Sequence, residues 1–392
     1  GKLLTQLELP ESVRQYRLIS STDELADFCS KARQTGWFAI DSEFVRERTF
    51  YANLGLLQMH AGGDTVIVDP LADINLEPVW SLISSDSIET VLHAGGEDIE
   101  LFFYESGGAQ PSRVFDSQIA AGFCGIGESM GYARLVSELF DNVELDKSLS
   151  RTNWLKRPLS PEQLDYAAAD ASYLAVMYPY LKALCEEKGC LDIVYEESVL
   201  QVRKRTTRIP DDLLYLQVGN AWQLNDEQLA ILQKLASWRF NKARKKNIPL
   251  GFIAKDGALL ELARRKPKSQ SDLNHIRDLP PLSKKYSGNE MITVIKKAEE
   301  QAVSKSLKPL SRLDDMPGYK ETFKAVKQKV TELAESLDVP VSLVASRKQI
   351  NELINFFWQY SPQQQERLPQ PDLLTGWRNA AIGAELRAIV TS

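Results

Sequence analysis

An apolar run that ends in two carboxylates stands out in the pattern of hydrophobic and polar positions. Residues 38–44 read Phe-Ala-Ile-Asp-Ser-Glu-Phe, which is typical of a buried strand with an acidic end. Side chains alternate along a strand, so Asp41 and Glu43 point to the same face, about 7 Å apart. Two such carboxylates repel each other and stay ionised only if a cation lies between them. The pattern favours a metal site, although a solvated loop entry is the commoner setting for these residue types.

The hydrophobic pattern around this strand predicts a domain that mixes strands and helices. We predict a capped helix from Thr22, a hairpin over 54–68, a short helix over 76–83 and a strand at 89–93. Residues 114–121 are predicted to pass from a strand into a helix, with Asp116 as the N-cap. Two glycines follow the strand at 89–93 and allow a sharp turn into a helix whose first turn holds Asp98. Ligands often lie at such a junction, but Asp98 there would also complement the helix dipole without binding anything.

A further acidic position is predicted on a later helix. Ser160, Pro161 and Gln163 have the spacing of a capping box with proline at the first helical position. Tyr166 and Asp170 follow four residues apart, so they share one helix face, with about 6 Å between their Cβ atoms. Such a pair is usually a hydrogen bond on a solvated helix, and it also suits a cluster of metal-binding carboxylates.

Composition limits the kind of protein and of metal site. The 392 residues exceed one ordinary core, so two or three domains are expected. The sequence has no run of about 18 apolar residues and no visible signal peptide, so we expect a cytoplasmic protein without a membrane span. The three histidines and four cysteines form no metal-ligand spacing. Any metal must therefore be bound by oxygen, which favours Mg²⁺ or Mn²⁺.

Charge is distributed unevenly along the chain. Residues 1–205 carry 18 Lys and Arg against 32 Asp and Glu, whereas residues 206–298 carry 17 against 9. Residues 299–392 carry 12 of each and are neutral. An acidic first part and a basic middle part suggest separate tasks, with chemistry in the first and binding of a polyanion in the second.

The second half of the chain contains an internal repeat. Residues 247–254 match residues 338–345 at an offset of 91, and residues 288–291 match residues 383–386 at an offset of 95. Each copy of the first segment follows a long polar helix and precedes another helix, which indicates a duplicated helical module. We therefore divide the chain into domains at 1–205, 206–298 and 299–392.

Taken in order, Asp41-x-Glu43, Asp98 after its glycine turn, and Tyr166-x-x-x-Asp170 resemble the three motifs of the DEDDy 3′→5′ exonuclease family. The connecting segments 92–98, 115–121 and 154–170 are similar to the bacterial ribonuclease D branch of that family, and the repeated modules resemble tandem HRDC domains. The resemblance implies an α/β ribonuclease H-like exonuclease domain, with a mixed sheet flanked by helices, followed by two all-α HRDC domains. The second module lacks an equivalent of the basic segment 242–246, so its expected task is RNA binding or packing.

The resemblance also implies an activity and the residues that perform it. We expect a metal-dependent exoribonuclease that releases nucleoside 5′-monophosphates from RNA 3′ ends, with tRNA precursors as substrates. Asp41, Glu43, Asp98 and Asp170 would hold two divalent cations, Mg²⁺ or Mn²⁺, and Tyr166 would orient the attacking water. No small-molecule cofactor is expected, and a monomer is. The basic residues that we predict to contact RNA are Lys147, Arg151, Arg157, Lys242, Arg244, Lys245, Lys246, Arg264, Arg265, Lys266 and Lys268.

Two other functions are compatible with the same sequence. The first is a 3′→5′ DNA exonuclease of the repair type, because the same metal core cuts either sugar backbone and a contact to the 2′-hydroxyl is not visible in a sequence. The second is a catalytically silent RNA-binding scaffold. Such a relic usually lacks one metal ligand, and here all five motif positions are present.

Overall fold

The computed structural model of the chain describes residues 6–302 and 307–392. The chain divides into two units, the first comprising Gly1–Glu47 with Ala52–Thr207 and the second Arg48–Tyr51 with Arg208–Ser392. Within the described residues, no helix has both the length and the apolar character needed to cross a membrane. The two units are described separately below.

A six-stranded mixed sheet forms the centre of the first unit. Its spatial order is β1-β4-β3-β2-β5-β6, with the central strands β2, β3 and β4 antiparallel and the outer pairings parallel. The strands are β1 (Tyr16–Ile19), β2 (Trp37–Val45), β3 (Asn53–Ala61), β4 (Asp64–Val68), β5 (Glu89–Leu92) and β6 (Val114–Asp116). The acidic strand of the sequence is thus β2, in the middle of the sheet, and the predicted hairpin is β3 and β4.

Helices flank this sheet, and several begin and end where local sequence signals predict. Ser21 caps α2 through the amide of Glu24, and Ser160 and Gln163 form the complete capping box of α7. Asp116 caps α5 by accepting a hydrogen bond from the amide of Gln118. The helices of this unit are α1 (Glu11–Arg14), α2 (Thr22–Thr35), α3 (Glu77–Ile83), α4 (Gly96–Ser106), α5 (Ser117–Phe123), α6 (Tyr132–Leu139), α7 (Pro161–Lys188) and α8 (Leu191–Thr206), with a 3₁₀ helix at Lys147–Arg151.

The alternation of side chains along the strands separates two hydrophobic clusters. On one face, Phe38 and Ile40 of β2 pack in the large cluster that includes buried residues of α2, α3 and α4. On the other face, Leu56 of β3 and Ile67 of β4 pack against Ala167 and Ala168 of α7 and against Trp154, all of them buried. Because Asp41 and Glu43 alternate with Ile40 and Ser42, they lie on the α7 face.

The second unit is built from helices, and each of its two modules has its own hydrophobic cluster. Its α-helices are α9 (Asp226–Lys246), α10 (Leu250–Ile253), α11 (Asp256–Arg265), α12 (Pro281–Ala302), α13 (Tyr319–Leu337), α14 (Val341–Val344), α15 (Arg347–Trp358), α16 (Pro362–Arg367), α17 (Gly376–Arg378) and α18 (Ala384–Thr391). Short 3₁₀ helices lie at Asp211–Gln217, Ala221–Gln223, Asp272–His275, Leu313–Asp315 and Asp372–Leu374, and a π-helical segment at Asn379–Gly383 joins α17 to α18. The α/β part followed by helical modules agrees with the predicted fold class.

The internal repeat corresponds to a repeated series of elements. The long helices α9 and α13 end at Asn247 and Asp338, and both of these residues adopt the left-handed conformation. Each is followed by a proline that precedes a four-residue helix, α10 or α14, and then by a longer helix, α11 or α15. The domain boundaries at 205 and 298 stay predictions. Helix α8 ends at Thr206, one residue after the first of them.

Candidate active site

Two carboxylates project from the end of β2 and share one hydrogen-bond donor. Asp41 lies directly opposite Gln58 of β3 in the strand register. The Gln58 side-chain amide donates to Asp41 Oδ2 at 3.1 Å and to Glu43 Oε1 at 3.0 Å. Gln58 is completely buried, so its amide nitrogen is a fixed donor that holds the two carboxylates side by side.

Helix α7 adds the third carboxylate on the same face of the sheet. Ala167 and Ala168 are buried against the sheet, and their small side chains allow the helix to approach β2 and β3 closely. The carboxyl group of Asp170, in the next turn, lies beside those of Asp41 and Glu43. One carboxylate oxygen from each of these three residues lies within 4.8 Å of the other two.

Asp98 reaches the same place from the other side of the sheet. It lies in the first turn of α4, after the turn at Gly95, and its side chain is buried. The hydroxyl of Ser42, which alternates with Asp41 and Glu43 along β2, donates to Asp98 Oδ1. Asp98 lies outside the group of three mutually close carboxylates. All four carboxylates nevertheless line one cavity of about 540 Å³, which we call the acidic cavity.

Negative charge on these four carboxylates is unfavourable, and a bound cation would stabilise it. Removal from bulk water, with the charge of Glu43 beside it, raises the pKa of Asp41 to about 8. The same loss of hydration, with a contribution from Asp98, raises the pKa of Glu43 to about 7. Burial and the neighbouring carboxylates also raise the pKa values of Asp98 and Asp170 well above the usual range. An all-oxygen cluster with these properties fits a hard divalent cation such as Mg²⁺ or Mn²⁺.

Tyr166 lines the acidic cavity one turn before Asp170 on α7. Burial and the charges of Asp170, Glu43 and Asp41 raise the pKa of its phenol well above the usual value of about 10. The nearby Ser150 side chain opposes this shift in pKa, and the ring of Trp154 lies 6.1 Å from the Tyr166 ring, centroid to centroid. The phenol therefore keeps its proton near neutral pH, which suits a group that orients water by hydrogen bonding.

His93 lines the same cavity, but its ring nitrogens are occupied by the protein. Nδ1 lies 2.7 Å from the Ser117 hydroxyl, and Nε2 lies 2.9 Å from the Met130 carbonyl oxygen. Burial lowers the pKa of the imidazole, so the ring is neutral at pH 7. The structure thus places His93 in a supporting position.

The three basic residues predicted to contact RNA in the first unit have different surroundings. Lys147 lines a second cavity of about 310 Å³, which also contains Asp41, Tyr132 and Tyr166. Arg151 is exposed at the end of the 3₁₀ helix. Arg157 instead uses all five of its N–H donors within the protein, on Asp69, Gly55, Trp154 and Lys156. This bonding argues against the RNA contact predicted for Arg157 and gives it a structural task.

The basic residues of the second unit fall into two groups. In the first group the charge is already engaged: Lys242 pairs with Glu290, Arg264 and Arg265 with Glu261, and Lys266 with Glu227, while the Arg244 guanidinium lies 5.6 Å from the Phe240 ring centre. In the second group, Lys245, Lys246 and Lys268 make no ion pair with any residue that the structure describes. The second group has the charge that an RNA phosphate would meet.

Sequence reasoning missed three polar residues at the site. The strand pattern gives no reason to include Ser42, because alternation places it on the face opposite Asp41 and Glu43, and its role depends on the contact with Asp98 of α4. Ser150 and Tyr132 carried no signal: Ser150 lies on the 3₁₀ helix before Trp154, and Tyr132 donates through its hydroxyl to the carbonyl oxygen of Ala169 at 2.7 Å. The positions of Ser150 and Tyr132 at the site depend on how distant segments pack, which a local sequence pattern does not predict.

Comparison with known families agrees with this architecture. The family described as 3′-5′ exonuclease matches residues 16–186. The HRDC domain family matches residues 228–295, and the family described as ribonuclease D, C-terminal HRDC domain, matches residues 317–386. The three matches follow one another in the order expected from the sequence.

Individual relatives match along nearly the whole chain. Ribonuclease D of Escherichia coli is 37% identical over 376 residues, covering 96% of this chain and 98% of that protein. Ribonuclease D of a Shewanella species is 37% identical over 383 residues, covering 98% and 96%. The crystal structure of E. coli RNase D, described as an exoribonuclease involved in structured RNA processing, has a TM-score of 0.88 at 36% identity and covers 96% of this chain and 99% of that one.

Proposed function

Because the chain belongs to the ribonuclease D family of 3′→5′ exoribonucleases, we propose that its acidic cavity is the place where nucleotides are removed from RNA 3′ ends. Asp41, Glu43, Asp98 and Asp170 would hold two divalent cations, Mg²⁺ or Mn²⁺, and Tyr166 would orient the attacking water. One observation carries this assignment: four carboxylates from three distant segments line a single cavity beside a protonated phenol.

The protein's own groups have separate tasks in this proposal. When bound, the cations supply an activated water and compensate the charge that develops on the leaving 3′-oxygen. Gln58 keeps Asp41 and Glu43 in place through two hydrogen bonds, and Ser42 does the same for Asp98. Tyr166 donates its proton in a hydrogen bond and does not give it up, because its pKa is raised.

We propose tRNA precursors as the natural substrates. The E. coli relative is described as acting in structured RNA processing, and the overall similarity to it is high. Trimming of a tRNA 3′ end requires removal of a few nucleotides next to a folded body, which suits a chain that has an exonuclease domain and separate helical modules. We test this by incubating the protein with a tRNA that carries a short 3′ extension. Shortening that stops near the mature end supports the proposal, and unchanged RNA contradicts it.

The alternative of a DNA exonuclease is tested with matched oligonucleotides. We expect faster release of nucleoside 5′-monophosphates from a single-stranded RNA than from the DNA of the same sequence, with Mg²⁺ or Mn²⁺ present. Cleavage of the DNA at an equal or higher rate would favour the repair-type alternative. Release of products from the 5′ end would contradict the direction of attack.

Substitution of the metal ligands separates catalysis from RNA binding. We expect Asp41→Asn or Asp170→Asn to lower kcat by at least about 1,000-fold, because an amide binds Mg²⁺ more weakly than a carboxylate does and adds no negative charge. RNA affinity, measured by fluorescence anisotropy, should change by less than about threefold. Full activity of either variant would exclude the proposed metal site, and an inactive wild type that still binds RNA would favour the scaffold alternative.

The remaining expectations from the sequence stay predictions. They concern domain limits at 205 and 298, a monomeric state, a cytoplasmic location and the number of bound cations. Sedimentation analysis with and without RNA would test the monomer, and isothermal titration with Mn²⁺ would give the number of cations.

A further inference from the structure

Arg205 is the only cationic side chain among the described residues that line the acidic cavity. The other charged groups of the lining are the carboxylates of Asp41, Glu43, Glu97, Asp98 and Asp170, and the imidazole of His93 is neutral because its pKa is lowered. An RNA strand carries one negative charge per phosphate and is repelled by such a lining. A phosphate that enters the cavity therefore has one protein cation to bind, apart from the metal ions.

The guanidinium of Arg205 lies against the backbone that carries Asp98. A side chain added at Gly96 would place its Cβ 2.9 Å from Arg205 Nε and 3.1 Å from Nη2. The edge formed by Nε and Nη2 thus covers the first turn of α4, two residues before Asp98. Only a glycine at position 96 leaves room for this arrangement.

Helix α8 holds Arg205 in place through residues on the same face. Ser198, Gln201 and Arg205 are spaced by three and four residues, so their side chains form one line along the helix. The Ser198 hydroxyl accepts a hydrogen bond from the Asp116 amide at 3.1 Å, and the Gln201 amide donates to Asp116 Oδ2 at 3.0 Å. Asp116 also accepts hydrogen bonds from the backbone amides of Ala94 and Gly95, at 2.9 and 3.0 Å. This carboxylate therefore ties α8 to the junction that leads to Asp98.

We propose that Arg205 is a substrate-binding residue that holds a phosphodiester of the RNA strand at the rim of the acidic cavity. The inference rests on the proposed function of that cavity. Arg205 Nη1 pairs with Glu100 at 3.2 Å, and a guanidinium has five N–H donors in one plane, so donors other than the one directed at Glu100 can bind the oxygens of a phosphate. The side chain is 42% exposed, so a strand can reach it from solvent.

The experiment compares Arg205→Gln with the wild type on a single-stranded RNA. Loss of one charge-assisted contact should raise KM about tenfold and leave kcat within about twofold. The slope of log KM against log salt concentration should fall by about 0.7, the value for one phosphate contact on a single strand. Arg205→Lys keeps the charge but not the planar fork, so its KM should lie between the two.

Two matched variants separate a phosphate contact at Arg205 from a general effect of helix charge or of the broken ion pair. Arg203→Gln removes the same charge from an exposed position on the same helix and should leave KM unchanged. Glu100→Gln breaks the ion pair of Arg205 but keeps its cation and should not reproduce the rise in KM. Equal effects of Arg203→Gln and Arg205→Gln, or of Glu100→Gln and Arg205→Gln, would overturn the inference. An unchanged KM for Arg205→Gln would do the same, whereas a wild type without activity on RNA would overturn the proposed function instead.

Discussion

At the scale of single residues, the buried acidic side chains explain why the site should bind cations and why it should respond to pH. Asp41, Glu43 and Asp170 have carboxylate oxygens within 4.8 Å of one another, so three negative charges are unfavourable there. In a metal-free protein the cluster lowers this repulsion by keeping protons, as the raised pKa values of Asp41 and Glu43 indicate. Cations and protons therefore compete for the same oxygens.

The first prediction concerns the stability of the metal-free protein. In the unfolded chain these carboxylates lose their protons near pH 4, whereas in the folded protein the pKa values of Asp41 and Glu43 are about 8 and about 7. Between about pH 4 and about pH 8 the folded state therefore binds more protons than the unfolded state does. The free energy of unfolding falls as pH rises through this range. Thermal unfolding in EDTA should give a lower Tm at about pH 8.5 than at about pH 6.

The same reasoning gives the control for this measurement. Added Mn²⁺ should raise Tm more at the higher pH, because fewer protons have to be displaced. Asp41→Asn removes one of the coupled carboxylates and should reduce both the pH dependence and the effect of Mn²⁺. A Tm that stays constant with pH in the wild type, or an equal response in the variant, would contradict this account.

A second prediction concerns the phenol of Tyr166. Tyr166→Phe removes the hydroxyl but keeps the ring that packs near Trp154, so folding should be preserved. We expect kcat to fall about 100-fold with little change in KM, because the hydroxyl acts on the water and not on the bound strand. Since burial and the nearby carboxylates raise the pKa of this phenol, the wild type and the variant should have pH profiles of the same shape. A lost alkaline limb in the variant would show that the phenol does titrate.

Local patterns predicted which residues share a face, but not how distant segments meet. The period of two in β2 and the spacing of four in α7 correctly placed Asp41 with Glu43 and Tyr166 with Asp170. The contact of Ser42 with Asp98 depends on α4 lying beside the end of β2, which is a tertiary fact. The internal bonding of Arg157 was missed for the same reason, since its partner Asp69 is 88 residues away.

At the scale of elements, capping residues in the sequence predicted where helices such as α2 and α7 begin, whereas close packing between elements could not be predicted from the sequence. Gly55 in β3 illustrates the second case, since a Cβ at this position would lie 2.8 Å from both the carbonyl oxygen and the Cβ of Trp154. The strand pattern alone would accept many residues there. The glycine is required because the segment that carries Trp154 crosses β3 at this point, close to Ser150 and the Tyr166 ring.

This close approach gives a third prediction. Gly55→Ala should destabilise the protein by about 1–3 kcal/mol, because backbone atoms of Trp154 cannot move aside as a flexible side chain would. Differential scanning calorimetry should show a lower Tm, and kcat should fall because Trp154 lies beside Tyr166. Gly257→Ala is the control, since this glycine lies in α11 with open space around its Cβ position. That variant should be neutral or more stable by about 0.5–1 kcal/mol.

At the scale of the whole molecule, the charge along the chain separates an acidic exonuclease domain from a basic first helical module and a neutral second one. Counting charges along the sequence showed this asymmetry, but the count could not show which cations are neutralised by partners. Lys266 and Glu227, for example, are 39 residues apart and meet only because α11 packs against α9. The structure reduces the predicted basic surface to the residues whose charge is still available.

The last prediction tests this reduced surface in RNA binding. Replacing Lys245, Lys246 and Lys268 by glutamine removes three cations that pair with no described residue, so RNA affinity should fall and the slope of log Kd against log salt concentration should decrease by about 2. Replacing Lys242, Arg264 and Lys266 removes three cations that already have carboxylate partners, so the slope should change less. Both sets are measured in full-length protein that also carries Asp170→Asn, which keeps the RNA intact during the titration. Equal slopes for both sets would mean that ion pairing within the modules does not determine which basic residues contact RNA. An unchanged slope for the first set would assign RNA binding to another surface.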